Sequence, residues 1–167
     1  MHDNNYVHFD IKLENIVITN TTDHKKNNRI SNHWIFDSQM SKSRSRTMYD
    51  DLHISKESNV KLIDFSLSYE ISTISSKISP GTSGYRSPEL GLQKDIDYKK
   101  CDIYSRGMTF GLCLLFNKIP HVSIDDILTG RESNTLFKLL EDINLQDIVD
   151  KNPDIRPDID TVITRLR

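Results

Sequence analysis

The stretch HFDIKLEN, residues 8–15, is followed at once by the β-branched run Ile16-Val17-Ile18, so a polar loop leads directly into a short strand. The loop carries a carboxylate on Asp10, an ammonium group on Lys12 and a carboxamide on Asn15. Phosphoryl transfer needs a base, a cation near the transferred group and oxygen ligands for Mg²⁺. The loop is therefore a candidate reaction centre, and the simpler alternative is a polar turn whose spacing is accidental.

A second short strand is predicted at residues 60–63, and it ends at Asp64-Phe65-Ser66. An Asp at the end of a strand is by itself weak evidence, because Asp is a common turn former. The order of loop, strand, connection, strand and then Asp-Phe, however, predicts that Asn15 and Asp64 lie side by side as metal ligands. Between the strands, residues 19–59 are rich in Asn, Ser, Lys and Arg, which predicts a long polar surface insertion.

The remaining chain is predicted to be an irregular loop followed by helices. Residues 66–88 are aperiodic and rich in Ser, Thr, Gly and Pro. Residues 102–116 are apolar on most sides, which predicts a buried central helix. Shorter helices are predicted at 135–143 and 145–149, with a last helix capped by Asp158. The pattern indicates an α+β fold that is mainly α.

A third group of motifs comprises GTSGYRSPE at residues 81–89, DIYSRG at residues 102–107, and Arg156-Pro157. Together with the two loops above, these stretches resemble the eukaryotic-type protein kinase family of the Ser/Thr type. The family motifs read His-Arg-Asp with Lys and Asn following, Asp-Phe-Gly, and Ala-Pro-Glu. The resemblance runs from Tyr6 to Leu166 apart from the insertion, and it implies a protein-kinase-like C-terminal lobe with a short β-hairpin around the catalytic and metal-binding loops.

The resemblance also implies roles for the residues of both loops, with ATP and Mg²⁺ as cofactors. Asp10 would be the catalytic base and Lys12 would contact the γ-phosphate. Asn15 and Asp64 would hold Mg²⁺.

In the activation segment, the resemblance implies that Thr82 bonds the catalytic Asp and Lys and that Tyr85 helps to position the substrate. Four residues would support the centre rather than react: His8, Glu89, Asp102 and Arg156. Glu89 and Arg156 would form a buried ion pair, and Asp102 would bond the catalytic-loop backbone near His8. For the ion pair, the alternative is two ordinary solvated charges.

Three departures from the family pattern carry expectations of their own. Phe9 replaces the Arg that reads an activation-loop phosphate, so switching by loop phosphorylation is not expected. Ser66 replaces a Gly, and the loss of a residue that tolerates positive φ is expected to re-aim the metal-binding loop. The chain begins just before the catalytic loop and contains neither a Gly-x-Gly-x-x-Gly nor a Val-Ala-Ile-Lys motif, so the resemblance implies a C-terminal lobe without its N-terminal lobe.

Two functions follow from these observations. The first is a truncated Ser/Thr kinase domain with negligible activity as an isolated chain, whose partners would be a separate N-terminal lobe or a protein substrate. The second is a non-catalytic, pseudokinase-like binding module or an unexpressed gene relic. An unrelated helical domain that binds a divalent ion through Asp10 and Asp64 would require the other motifs to be coincidental.

Composition narrows the class of protein. An apolar fraction of 36%, a charged fraction of 28% and a net charge of -2 predict one globular domain with no general attraction to nucleic acid or anionic membranes. No apolar run reaches the roughly 20 residues that span a bilayer, and the polar N-terminus predicts an intracellular, cytoplasmic location. The two cysteines, Cys101 and Cys113, lie at the start of and within the predicted central helix, where two buried thiols are expected and neither a disulfide nor a zinc site is indicated.

Overall fold

The computed structural model describes residues 1–20, 58–74, 78–92, 95–118 and 133–167. Within these residues the strands are β1 (Tyr6–Val7), β2 (Ile16–Asn20), β3 (Ser58–Leu62) and β4 (Tyr69–Glu70). The α-helices are α1 (Tyr98–Lys118), α2 (Ser133–Glu141) and α3 (Ile159–Arg165). Short 3-10 turns cover His2–Asn4, Leu13–Asn15, Ile71–Thr73, Pro88–Gly91 and Gln146–Val149. The described part is thus helix-rich with two small antiparallel sheets, which confirms the α+β class.

The chain divides into two compact units, and the smaller one comprises residues 13–63. Its described part is an antiparallel hairpin of β2 and β3, in which Ile16 lies opposite Leu62. Both predicted strands are confirmed, and they extend to Asn20 and back to Ser58 because antiparallel pairing supplies hydrogen-bond partners even for polar residues. The ends of the predicted insertion therefore belong to the hairpin, while residues 21–57 lie outside the described residues.

The larger unit comprises residues 1–12 and 64–167, and α1 runs through its core. The helix begins before the predicted residue 102 because the carboxylate of Asp97 accepts hydrogen bonds from the amides of Lys99 and Lys100, at 3.0 and 3.3 Å. At Gly107, a Cβ atom would lie 2.6 Å from side-chain atoms of Ile148 and Val149. The absence of a side chain at residue 107 therefore permits the close packing of α1 against the 3-10 turn.

The C-terminal elements differ from prediction in one case. The helix predicted at residues 135–143 is α2, and Asp158 caps α3 by accepting a 2.8 Å hydrogen bond from the amide of Thr161. The helix predicted at residues 145–149 is instead a 3-10 turn, Gln146–Val149. A run this short can bury its apolar side chains in one tight turn without forming α-helical hydrogen bonds.

The two thiols of α1 also differ in exposure. Cys101 is buried as expected, but Cys113 is exposed, so the prediction of two buried thiols is wrong for Cys113. Phe110, on the same helix, is 36% exposed. One side of α1 therefore faces solvent among the described residues, because no described element covers these two side chains. In the part of the chain that the structure describes, no helix is both long and apolar enough to cross a membrane.

Candidate active site

The carboxylate of Asp102, near the start of α1, holds the backbone of the predicted catalytic loop. It is 1% exposed and accepts hydrogen bonds from the amides of His8 and Phe9, at 2.8 and 2.9 Å. The Nε2 atom of His2 lies 3.1 Å from the same carboxylate. These three polar groups thus offset the free-energy cost of burying the Asp102 charge. The loop is fixed to the central helix through its backbone.

Phe9 adopts a left-handed backbone conformation, with φ of 63°. For a bulky residue this conformation costs roughly 1–2 kcal/mol. Its amide is held by Asp102, and its side chain, 2% exposed, packs edge-on against Tyr69 and Tyr98 with ring centroids 6.2 and 5.6 Å away. Phe9 stands where the resemblance implies an Arg that binds an activation-loop phosphate. Its ring lies in an apolar cluster that also includes Leu90 of the predicted activation segment.

Asp10, Lys12 and Thr82 form a closed set of contacts. The Thr82 hydroxyl donates to Oδ1 of Asp10 at 2.6 Å, and the Thr82 amide donates to the same oxygen at 3.1 Å. The Lys12 ammonium lies 2.9 Å from Oδ2 of Asp10 and donates to the Thr82 hydroxyl, also at 2.9 Å. The structure thus brings together the predicted base, the predicted phosphate-binding cation and the activation-segment Thr.

Gly81 allows the activation segment to approach this closely. Its φ is +103°, and a Cβ atom there would lie 2.5 Å from the carbonyl oxygen of Phe9. A side chain would therefore clash with the catalytic-loop backbone and also strain the turn. Glycine at residue 81 lets Thr82 reach Asp10.

His8 connects the catalytic loop to the segment after Asp64. Its Nδ1 atom accepts a hydrogen bond from the amide of Asp10 at 3.2 Å. Its ring meets that of Phe65 edge-on, with centroids 5.1 Å apart. His8 therefore supports the catalytic loop through backbone and ring contacts.

Asp64 is exposed and carries the left-handed conformation of its turn, with φ of 60°. Its Oδ1 atom accepts hydrogen bonds from the hydroxyl and the amide of Ser66, at 2.6 and 3.3 Å. These bonds favour the charged carboxylate and lower the pKa of Asp64 below its ordinary value. The positive φ of this turn falls on Asp64, a residue type that tolerates it, and not on Ser66. A change in the aim of the loop caused by Ser66 stays a prediction.

The chemistry of Asp64 fits a Mg²⁺ ligand. Mg²⁺ prefers carboxylate oxygens and commonly retains water and substrate phosphates rather than entering an all-protein cage. Within the described ranges, no group of three or more His, Cys, Asp or Glu residues suited to a metal occurs. Asn15 is buried in the other compact unit, where its carbonyl accepts a 2.9 Å hydrogen bond from the amide of Ile63. Its pairing with Asp64 stays a prediction.

Glu89 and Arg156 form a bidentate ion pair, with Nη1–Oε1 and Nη2–Oε2 distances of 2.6 and 2.8 Å. Both side chains are buried. Desolvation acts to raise the pKa of Glu89, but the hydrogen bonds and charge of Arg156 outweigh it and the pKa is lowered. Arg156 also donates to the carbonyls of Asp150 and Lys100, at 2.7 and 2.9 Å, and lies over the ring of Tyr104. The pair therefore ties the end of the activation segment to α1 and to the chain before α3.

Tyr85 is anchored through its backbone. Its amide donates to the carbonyl of Thr82 at 3.2 Å, and its own carbonyl accepts a 2.9 Å hydrogen bond from the hydroxyl of Ser105 on α1. The side chain is buried, so it supports the segment from within. A direct contact of Tyr85 with substrate stays a prediction.

Sequence reasoning missed three of these supporting residues. His2 and Ser105 bond partners 100 and 20 residues away, and no local pattern marks such pairs. Ser66 was identified as a departure, but its hydroxyl bond to Asp64 was not predicted. A Ser two residues after an Asp is a common local turn arrangement, and that signal could have found it.

Two comparisons with known proteins agree with this geometry. The sequence profile of the family described as "Protein kinase domain" matches residues 1–166. A protein of Acanthamoeba polyphaga mimivirus, named as a serine/threonine-protein kinase, is 28% identical over 178 residues, which cover 99% of this chain and 50% of that protein. The chain thus spans about half the length of the curated relative it matches. Because the family profile matches almost all of its residues, the chain belongs to the protein kinase family.

Proposed function

We propose that this chain carries the catalytic centre of a Ser/Thr protein kinase, which moves the γ-phosphoryl group of ATP to a hydroxyl group of a protein Ser or Thr. The observation that carries the proposal is the set of contacts among Asp10, Lys12 and Thr82. We also infer that the motif-bearing, helix-rich part corresponds to the C-terminal lobe of such a kinase. The order of its motifs and the kinase name of the mimivirus relative support both statements.

The proposed reaction assigns a task to each residue. The acceptor oxygen forms a bond to the γ-phosphorus, the bond from that phosphorus to the bridging oxygen of ADP breaks, and the hydroxyl proton passes to Asp10. Thr82 holds the Asp10 carboxylate in one orientation, and Lys12 neutralises charge that develops on the transferred group. When bound through Asp64, Mg²⁺ would neutralise phosphate oxygens.

A polypeptide of these 167 residues alone is expected to transfer phosphate at a negligible rate. Phosphoryl transfer depends mostly on positioning and electrostatic stabilisation, and the sequence contains no Gly-rich loop to cover the phosphates. The second candidate function is a non-catalytic binding module that uses the kinase fold.

The decisive experiment starts from the native product, meaning the polypeptide isolated from its natural source. Its intact mass is compared with the 19.4 kDa of this chain. That product is then incubated with labelled ATP, Mg²⁺ and Ser/Thr peptides. We expect a product heavier than 19.4 kDa to transfer phosphate, and the Asp10→Ala variant to lose the transfer. Lys99→Ala, which removes a half-buried cation bonded to Asn5, is the control that should retain it.

Transfer that persists in Asp10→Ala would refute the assignment of the base. A native product of 19.4 kDa that neither binds ATP nor transfers phosphate would make the binding module the better account.

A further inference from the structure

Arg86 lies one hydrogen-bonded turn away from the proposed reaction centre. Its amide donates to the carbonyl of Thr82 at 3.1 Å, and the Thr82 hydroxyl bonds Asp10. The turn is held further by Gly81, which packs against the backbone of Phe9. The backbone of Arg86 is therefore fixed relative to Asp10.

The side chain of Arg86 is exposed, and its guanidinium is only lightly engaged. Nη1 donates to the carbonyl of Ser79 at 3.2 Å. Within the described residues no carboxylate lies within salt-bridge distance of this guanidinium, whereas Arg156 and Arg165 each pair with an acidic residue. Among the described residues, several of its N–H donors thus have no partner, on a side chain whose backbone is bonded to Thr82.

A planar guanidinium is suited to recognising a carboxylate or a phosphate through two parallel hydrogen bonds. A substrate hydroxyl must lie within about 3 Å of Asp10 when its proton is removed. An extended peptide advances roughly 3.3 Å per residue, so three residues span roughly 10 Å. Side chains within about three positions of the acceptor therefore lie in the region that Arg86 can reach.

We propose that Arg86 determines substrate specificity, by binding an anionic side chain within about three residues of the phosphoacceptor Ser or Thr. The anion is either the carboxylate of Asp or Glu or the phosphate of a residue that is already phosphorylated. This inference rests on the proposed function, because it takes Asp10 to mark the acceptor position.

The test measures peptide binding, which does not require phosphate transfer. Four labelled peptides share one central Ser and differ only in the flanking residues, which are Glu, Gln, Lys or phosphoserine. Their affinities for the 167-residue chain are measured by fluorescence anisotropy at low salt. We expect the Glu peptide to bind about two- to fivefold more tightly than the Gln peptide, the gain typical of an exposed ion pair. A larger gain in affinity for the phosphoserine peptide than for the Glu peptide would identify phosphate as the preferred anion. An equal gain would show that Arg86 responds to negative charge of either kind.

Variants of Arg86 distinguish binding of the peptide's anionic side chain from a role in holding the loop to Ser79. Arg86→Gln should abolish the preference for Glu over Gln, Arg86→Glu should reverse it in favour of Lys, and Arg86→Lys should retain part of it. The control Lys99→Gln removes a half-buried cation elsewhere, bonded to Asn5, and should leave the preference intact. Salt at 0.5 M should weaken the preference, because screening acts strongly on exposed charges.

The proposal fails if the Glu peptide binds no more tightly than the Gln peptide, including the case in which neither binds. It also fails if Arg86→Gln retains the preference while circular dichroism shows it to be folded. Asp10→Asn distinguishes this inference from the proposed function: it should abolish transfer by the native product and keep the peptide preference. A preference without any transfer in the wild type would leave recognition standing and remove the catalytic assignment.

Discussion

The two oxygens of the Asp10 carboxylate have different partners. Oδ1 accepts from the hydroxyl and amide of Thr82, and Oδ2 lies against the ammonium of Lys12. A carboxylate held from both sides loses little further freedom when a substrate hydroxyl arrives. At the residue scale, the proposed centre is thus held in one arrangement by contacts within the protein, which is the condition under which the positioned groups of the proposed reaction would accelerate it most.

Asp64 is predicted to titrate below its ordinary pKa, and Ser66 is expected to be the cause. Because the folded-state pKa is depressed, the contribution of the charged form to stability is present above the unfolded pKa and is lost as pH falls through the folded pKa. Ser66→Ala removes the hydroxyl donor, so the pKa of Asp64 should rise. The measurement is an NMR titration of the Asp64 carboxyl carbon.

Ser72 offers a matched control, because its hydroxyl bonds the carboxylate of Glu70, two residues earlier, at 2.8 Å. Ser72→Ala should leave the titration of Asp64 unchanged. An unaltered Asp64 pKa in Ser66→Ala would contradict the prediction.

At the scale of elements, the Glu89–Arg156 pair joins the 3-10 turn Pro88–Gly91 to the segment before α3. Glu89→Gln leaves the buried Arg156 charge uncompensated, so it should lower the free energy of unfolding by about 3 kcal/mol or more. Since the pKa of Glu89 is lowered, the stabilisation is present above its unfolded pKa and is lost as pH falls through the folded pKa. In urea unfolding at several pH values, the free energy of unfolding should fall less steeply with decreasing pH for the variant than for the native protein.

The control is Arg165→Gln, which breaks the more accessible Arg165–Asp147 pair, whose Nη1–Oδ2 distance is 2.6 Å. Arg165→Gln should lower the free energy of unfolding by about 1 kcal/mol or less. Similar costs for the two variants would show that burial of the first pair does not govern its contribution.

The contact between α1 and the turn Gln146–Val149 is predicted to be sensitive to one methyl group. Gly107→Ala would place a Cβ atom 2.6 Å from Ile148 and Val149, and overpacking of this kind typically costs about 1–3 kcal/mol. Gly91→Ala is the comparison, since a Cβ atom there meets nothing within 4 Å. Thermal unfolding of the two variants checks the prediction, and equal melting temperatures would contradict it.

Local patterns in the sequence account for part of this structure. Neighbouring residues alone predict Asp158 as a cap, whereas the contact of Asp10 with Thr82 is implied only by the resemblance to the protein kinase family. In contrast, the short apolar run at residues 145–149 suits an α-helix and a 3-10 turn equally well. The pairing of His2 with Asp102 depends on how distant segments meet, which spacing along the chain does not encode.

At the scale of the whole molecule, one thiol should react in the folded protein and the other only when the core opens. Cys113 is exposed, whereas Cys101 is buried and its Sγ donates to Oε1 of Glu89 at 3.3 Å, with burial raising the pKa of the Cys101 thiol. Desolvation also raises the pKa of the Cys113 thiol, so a thiol reagent should modify Cys113 slowly compared with a free thiol but faster than Cys101, which reacts only after the core opens. Cys113→Ser should remove the fast phase, and Glu89→Gln should accelerate the slow one. Two fast phases in the native protein would contradict the burial of Cys101.

The carboxylate of Asp102 also affects how the catalytic loop exchanges hydrogen with solvent. The amides of His8 and Phe9 are bonded to a buried side chain on α1 rather than to a neighbouring strand. Their protons can exchange only when the loop separates from the helix. In heavy water these two amides should therefore retain their protons about as long as the interior of α1 does, so the proposed catalytic loop shares the kinetic stability of the core on which it rests.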